Sequence, residues 1–160
     1  MAMENRLILT QTDKKKLEDE LYDLRVNKRA EVAQEIAEAR AHGDLSENAE
    51  YDAAKDREAQ VNGRINEIEQ MLNTATFVDE SQASLDAVNI GCRVKVYDME
   101  YEEEDEYTIV GYTEADPMKL WISSESPIGE ALMGARIGDI VKANTPGGIV
   151  QMKVLEIARR

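Results

Sequence analysis

The chain has 160 residues, a formal net charge of −14, 42% hydrophobic and 32% charged residues, and a single cysteine, Cys92. That length allows one domain or two small ones. The charge argues against duplex DNA or an acidic membrane surface as a direct partner held by bulk electrostatics. One cysteine excludes an internal disulfide and a cysteine-based metal site. Residues 1–79 and residues 80–160 each carry a net −7, so neither half is a basic module offset by an acidic tail. No apolar run is long enough to span a bilayer, and Met1-Ala-Met-Glu-Asn-Arg6 does not read as a signal peptide. A cytoplasmic protein is expected, with no membrane partner.

Leu7-Ile8-Leu9 predicts a short extended lead-in. Thr10 or Thr12 is suited to cap a helix, and Asp13 favours the positive end of its dipole. From there to about Ala41 the chain has no Gly or Pro, and strong helix formers dominate. Leu17, Leu21, Leu24, Val32, Ile36 and Ala39 mark one face, with Lys28 at the intervening position. The steps 24, 28, 32 and 36 are all fours, which departs from a heptad and predicts a local stutter. The second helix is more regular. Tyr51, Ala54, Glu58, Val61, Ile65, Ile68 and Leu72 alternate threes and fours as an a/d seam with one polar member.

A connection of about four residues around Gly43 makes the two helices antiparallel, an arm of about 45 Å at 1.5 Å rise per residue. On periodicity alone a dimerising coiled coil or a spacer fits equally well. Asp44 and Glu47 sit at the bend. Their spacing fits a capping box, with Asp44 as N-cap and Glu47 reaching back, and on spacing alone capping is favoured over metal binding. His42 reads as a solvated turn residue, with no second His or Cys to join it in a metal site.

After Phe77-Val-Asp79 the stretch Ser81–Asn89 reads as a linker, giving domains at 1–79 and 80–160. Arg93–Tyr97, Tyr107–Tyr112 and Lys119–Ser123 have strand character. Glu100–Glu106 reads as a solvated hairpin loop. Pro127 opens a short helix through Met133, with Ser126 as its N-cap. Gly138–Lys142 and Ile149–Ile157 form a hairpin across Pro146-Gly147-Gly148. Cys92 and Trp121 are expected in the core. The fold class is α+β: an antiparallel coiled-coil hairpin, then an antiparallel sheet with one short helix.

Ala37–Lys55, with Gly43-Asp-Leu-Ser-Glu-Asn48 at its centre, resembles the tip of the bacterial GreA/GreB transcript cleavage factors, the GreA branch in particular. Ser126-Pro-Ile-Gly-Glu-Ala-Leu-Met-Gly134 and Asn144-Thr-Pro-Gly-Gly148 resemble that family's C-terminal signatures. The resemblance implies an FKBP-like C-terminal fold, without any sign of isomerase chemistry. It also implies a partner, bacterial RNA polymerase, entered through its secondary channel. Asp44 and Glu47 fall on the family's essential tip acids. They would act on the nascent RNA 3′ end by helping to hold a second Mg²⁺ shared with the polymerase active centre. Two carboxylates make only half of a Mg²⁺ site, so tight binding to the free protein is not expected.

The protein would then be a cofactor of polymerase cleavage, monomeric when free and inactive on free RNA. The alternative is a channel-binding regulator that inhibits polymerase without cleavage. Arg40, Lys55 and Arg57 are candidates to face RNA phosphates, or else they pair with neighbouring acids. The family's docking loop transfers to Ser126, Pro127 and Ile128.

Overall fold

The structure, a computed structural model, describes residues 7–43 and 48–160. Its backbone contacts separate two compact units, one holding Lys14–Ala75 and the other Ile8–Asp13 with Thr76–Arg160. The divide expected at 79/80 thus lies at 75/76, and strand pairing is the reason. Strand β1 (Ile8–Thr10) runs parallel to β2 (Thr76–Val78), Leu9 opposite Phe77, so the lead-in belongs to the second unit.

The helical unit is built from α1 (Gln11–Asp23), a π-helical turn (Leu24–Lys28), α2 (Arg29–Ala41) and α3 (Ala49–Thr74). The π-turn lies where the run of four-residue steps begins. The Arg29 N–H reaches back to the Leu24 carbonyl across five residues. A π-turn absorbs one extra residue locally. Val32, Ile36 and Ala39 are buried beyond it, as Leu17 and Leu21 are before it, whereas no residue of the turn itself is buried.

On α3, Ala54, Ile65 and Ile68 are buried, and Tyr51 and Val61 pack against the Val32–Ile36–Ala54 cluster. Polar ties cross between the helices beside this thin core. Arg25 pairs with Glu69, Arg64 with Glu20 at 2.7 Å and Arg57 with Glu35 at 2.6 Å, while Arg29 donates to Asn62 at 3.3 Å. The exposed ion pairs contribute only about 0–1 kcal/mol each, whereas Arg64–Glu20 is half-buried. Their use is to fix the register of two helices whose apolar seam is narrow.

Thr10, not Thr12, caps α1. The Thr10 hydroxyl accepts from the Asp13 N–H at 3.1 Å, and the Asp13 carboxylate accepts from the Thr10 N–H at 3.0 Å. Asp13 is fully buried, and its other oxygen accepts from the N–H and hydroxyl of Thr113 at 2.9 and 2.5 Å.

The second unit is a five-stranded sheet in the order β5-β4-β3-β7-β6, formed by β3 (Cys92–Asp98), β4 (Glu103–Val110), β5 (Trp121–Ser123), β6 (Ile140–Thr145) and β7 (Gly148–Arg159). An antiparallel sheet was expected. β5 instead runs parallel to β4, because the chain crosses back through two 3₁₀ turns before pairing, so the sheet is mixed. Helix α4 (Pro127–Leu132) packs over a core of Ile90, Val94, Val96, Ile109, Leu132, Met152 and Val154. Cys92 is in that core as expected. Trp121 is not: it is half-buried, with the Lys119 ammonium 4.9 Å and the Arg160 guanidinium 5.8 Å from its ring.

Two further expectations change. The acidic run is a loop only through Glu102, and Glu103–Glu106 form the start of β4 opposite Asp98–Lys95. Arg93 lies 3.6 Å from Glu106, which offsets part of the repulsion that made the run read as loop. The stretch 81–89 is no free linker either. Val88 and Ile90 are buried, Arg159 donates to the Ala83 carbonyl at 3.0 Å, and Arg160 grips Glu80 at 2.8 Å. Glu114 and Glu80 together hold the Arg160 guanidinium above its ordinary range.

Candidate functional site at the hairpin turn

The end of α2 is built from backbone geometry that only a few residues supply. His42 N–H and Gly43 N–H bond the carbonyls of Ala39 and Arg40 at 3.2 and 3.3 Å, closing the last turn. Gly43 then takes φ +103°, a conformation that an L side chain disfavours, and so ends the helix. Helix α2 ends at Ala41 and α3 begins at Ala49. Asp44 and Glu47, the two candidate catalytic and metal-holding acids, lie outside the described residues, as do Leu45 and Ser46.

The capping assignment changes. Helix α3 starts at Ala49, and its N-cap is Asn48, whose side-chain oxygen accepts from the Tyr51 N–H at 3.1 Å. A capping box beginning at Asp44 therefore does not open this helix. Asn48 has a second bond that sequence reasoning missed. Its amide NH₂ donates to the carbonyl of Ala39, in the last turn of α2, at 2.7 Å. One side chain thus starts one helix and holds the end of the other. The only sequence signal was that Asn is as good an N-cap as Asp.

The three basic candidates differ in state. The Arg40 guanidinium stands 6.0 Å from the Tyr51 ring centre. Lys55 pairs with Glu58, one turn along α3, at 2.8 Å. That hydrogen bond and charge hold the Lys55 ammonium above the ordinary lysine range. Arg57 reaches across to Glu35. Lys55 and Arg57 therefore follow the acid-pairing alternative in this conformation, although both remain exposed. His42 is exposed, with Nε2 3.8 Å from Glu50.

In the second unit Ser126 caps α4, its hydroxyl accepting from the Gly129 N–H at 3.1 Å and donating to the Ser123 carbonyl at 2.8 Å. Pro127 is exposed at the first helical position, and Ile128 is half-buried against the core. Gly129 cannot be replaced without movement, since a Cβ there would lie 1.9 Å from the Ser123 carbonyl oxygen. Pro127 and Ala131 border a shallow groove with Lys142 and Asn144 of β6.

Two family profiles match the chain: "Transcription elongation factor, N-terminal" over residues 7–76, and "Transcription elongation factor, GreA/GreB, C-term" over residues 82–159. The chain belongs to the GreA/GreB family of transcription elongation factors. It is 55% identical to transcription elongation factor GreA of Thermoanaerobacter pseudethanolicus over 157 residues, which cover 98% of this chain and 100% of the relative. It is 54% identical to GreA of Caldanaerobacter subterraneus subsp. tengcongensis, with the same coverage. Among solved structures, GreA factor homolog 1 of Thermus thermophilus is 26% identical, with a TM-score of 0.45, covering 96% of this chain and 99% of that one.

Among the described residues no helix is long and apolar enough to cross a membrane. Nor do they gather three or more His, Cys, Asp or Glu side chains to hold a metal ion. What the turn presents is a braced pair of helix ends, Gly43 on one side and Asn48 on the other, with the four residues that include both acids between them.

Proposed function

We propose that this elongation factor binds bacterial RNA polymerase through its secondary channel and stimulates hydrolytic cleavage of the nascent RNA 3′ end in backtracked complexes. The observation that supports this is a chain matched along its length by GreA relatives, in which the sequence Gly43-Asp-Leu-Ser-Glu47 falls between the end of α2 and the start of α3. Asp44 and Glu47 supply hard oxygen donors of the kind Mg²⁺ prefers, and two of them suit an ion completed by water, phosphate and the polymerase's own ligands. Bound there, Mg²⁺ would supply an activated water and stabilise charge on the phosphate.

The remaining work belongs to the protein. The cross-helix pairs and the buried seam stiffen the arm, so that the acids are delivered as a unit. Arg40, Lys55 and Arg57 flank the arm near the turn, and phosphate contact would require the last two to exchange Glu58 and Glu35 for RNA. Ser126, Pro127 and Ile128 form the docking point on the polymerase, with Pro127 the exposed member. The factor has no cleavage activity of its own on free RNA and acts as a monomer.

The test is to add the purified protein to stalled, backtracked elongation complexes and follow RNA length. Shortened RNA with a newly extendable 3′ end is expected. Slowed elongation with no shortening would instead identify an inhibitory channel-binding regulator.

A further inference from the structure

Resting on that reading of the turn, we propose that Asn48 is a positioning residue for cleavage, setting the separation of the two chain ends that carry Asp44 and Glu47. Its side chain makes two bonds that belong to different helices: the oxygen accepts from Tyr51 N–H on α3, and the NH₂ donates to the Ala39 carbonyl on α2. Ala39 is buried, and its carbonyl also receives the His42 N–H, so Asn48 bonds to an anchored point of α2 and not to a fraying end. Asn48 also begins α3 through its own carbonyl, which accepts from Asp52 N–H at 3.1 Å.

The other described cross-helix polar ties join side chain to side chain: Arg57–Glu35 among those on the arm, and, nearer the turn, the long contact of His42 Nε2 with Glu50 at 3.8 Å. The neutral Asn48–Ala39 bond is a short one to the main chain, and salt does not screen it as it screens ion pairs. Reaction rates respond steeply to the placement of participating groups, on the order of a hundredfold for about 1 Å.

The cap and the clamp can be separated. Asn48→Asp and Asn48→Ser both retain an oxygen for N-capping, and neither offers the NH₂ for Ala39. Serine adds no charge, which controls for the extra acid in the Asp variant. Three measurements suffice: competition with the wild-type protein for polymerase, RNA cleavage in backtracked complexes across a Mg²⁺ titration, and the distance between spin labels at the exposed positions Ala41 and Ala53. Both variants are expected to compete as wild type does. They should stimulate cleavage on the order of ten- to a hundredfold less at low Mg²⁺ and need more Mg²⁺ for half-maximal rate. Their label distances should broaden.

A merely structural role would lower the rate at every Mg²⁺ concentration without moving the half-maximal point, and that result overturns the proposal. So does wild-type cleavage by both variants when Asp44→Asn/Glu47→Gln is defective. If the acid variants themselves cleave as wild type, the cleavage reading falls. The label distance then tests the clamp by itself: an unchanged distribution overturns it, and a broadened one shows that Asn48 sets the separation of the helix ends although cleavage does not depend on it.

Discussion

Replacing Asp13 by Ala removes a fully buried carboxylate that accepts from three donors: the Thr10 N–H, the Thr113 N–H and the Thr113 hydroxyl. A hydrogen bond to a charged group contributes about 1.5–3 kcal/mol, and removing the acceptor leaves the buried Thr10 N–H and the half-buried Thr113 N–H and hydroxyl without it. The losses are not additive, because water enters the vacated space, so about 3–5 kcal/mol is expected from the three lost bonds together. Thr113 is 100 residues away in sequence, so the bond joins the start of the first helix to the chain after β4 within one unit. For a unit of about 90 residues each kcal/mol moves the melting temperature by about 4–8 °C, so a fall of more than 10 °C is expected. Asp13→Asn keeps the shape and one acceptor, and should fall between Ala and wild type. Calorimetry, or circular dichroism in the near ultraviolet where Trp121 reports on the second unit, checks this. An Ala variant melting within 3 °C of wild type would refute the reasoning, since the carboxylate would then be replaceable by water.

The remaining predictions concern the arm and the docking loop. Deleting Val26, exposed within the π-turn, should return the apolar spacing to alternating threes and fours and leave a regular α-helix. Its melting temperature should stay level or rise by a few degrees, and a clear fall would mean that the distal helix needs the extra residue. Pro127→Ala should weaken competition for polymerase while melting within a few degrees of wild type, because Pro127 is exposed and donates no hydrogen bond. Adding Ser126→Ala removes the α4 cap at a cost of about 1 kcal/mol, so only the proline variant isolates docking. Unchanged affinity in Pro127→Ala would remove the proposed contact.

The seam of α3 was readable because a/d spacing over more than two turns has few competing explanations, and Ala54, Ile65 and Ile68 are buried accordingly. A stutter in the run 24, 28, 32, 36 was readable for the same reason, although spacing could not say that a π-turn at Leu24–Lys28 would absorb it. Capping at the turn was less legible. Asp44 and Asn48 satisfy the same local rule four residues apart, and only the position at which α3 begins chooses between them. The second bonds of Asn48 and Asp13 were invisible, because each depends on a partner brought close by folding. The acidic run misled because charge was weighed without its cross-strand neighbours, Arg93 among them. Parallel pairing of β5 is a matter of connection path, and composition does not encode it.

The most direct measurement of the central claim compares wild type with Asp44→Asn/Glu47→Gln on backtracked complexes at low Mg²⁺. Both substitutions keep side-chain size and remove the charge available to a cation. The double variant should still compete for polymerase and lose cleavage stimulation on the order of a hundredfold or more, equivalent to several kcal/mol in the barrier. Each single variant should lose most of the stimulation, and raised Mg²⁺ should partly restore the weaker of the two. RNA shortened by the double variant at low Mg²⁺ as fast as by wild type would contradict the account, because the two acids would then have no part in the cleavage.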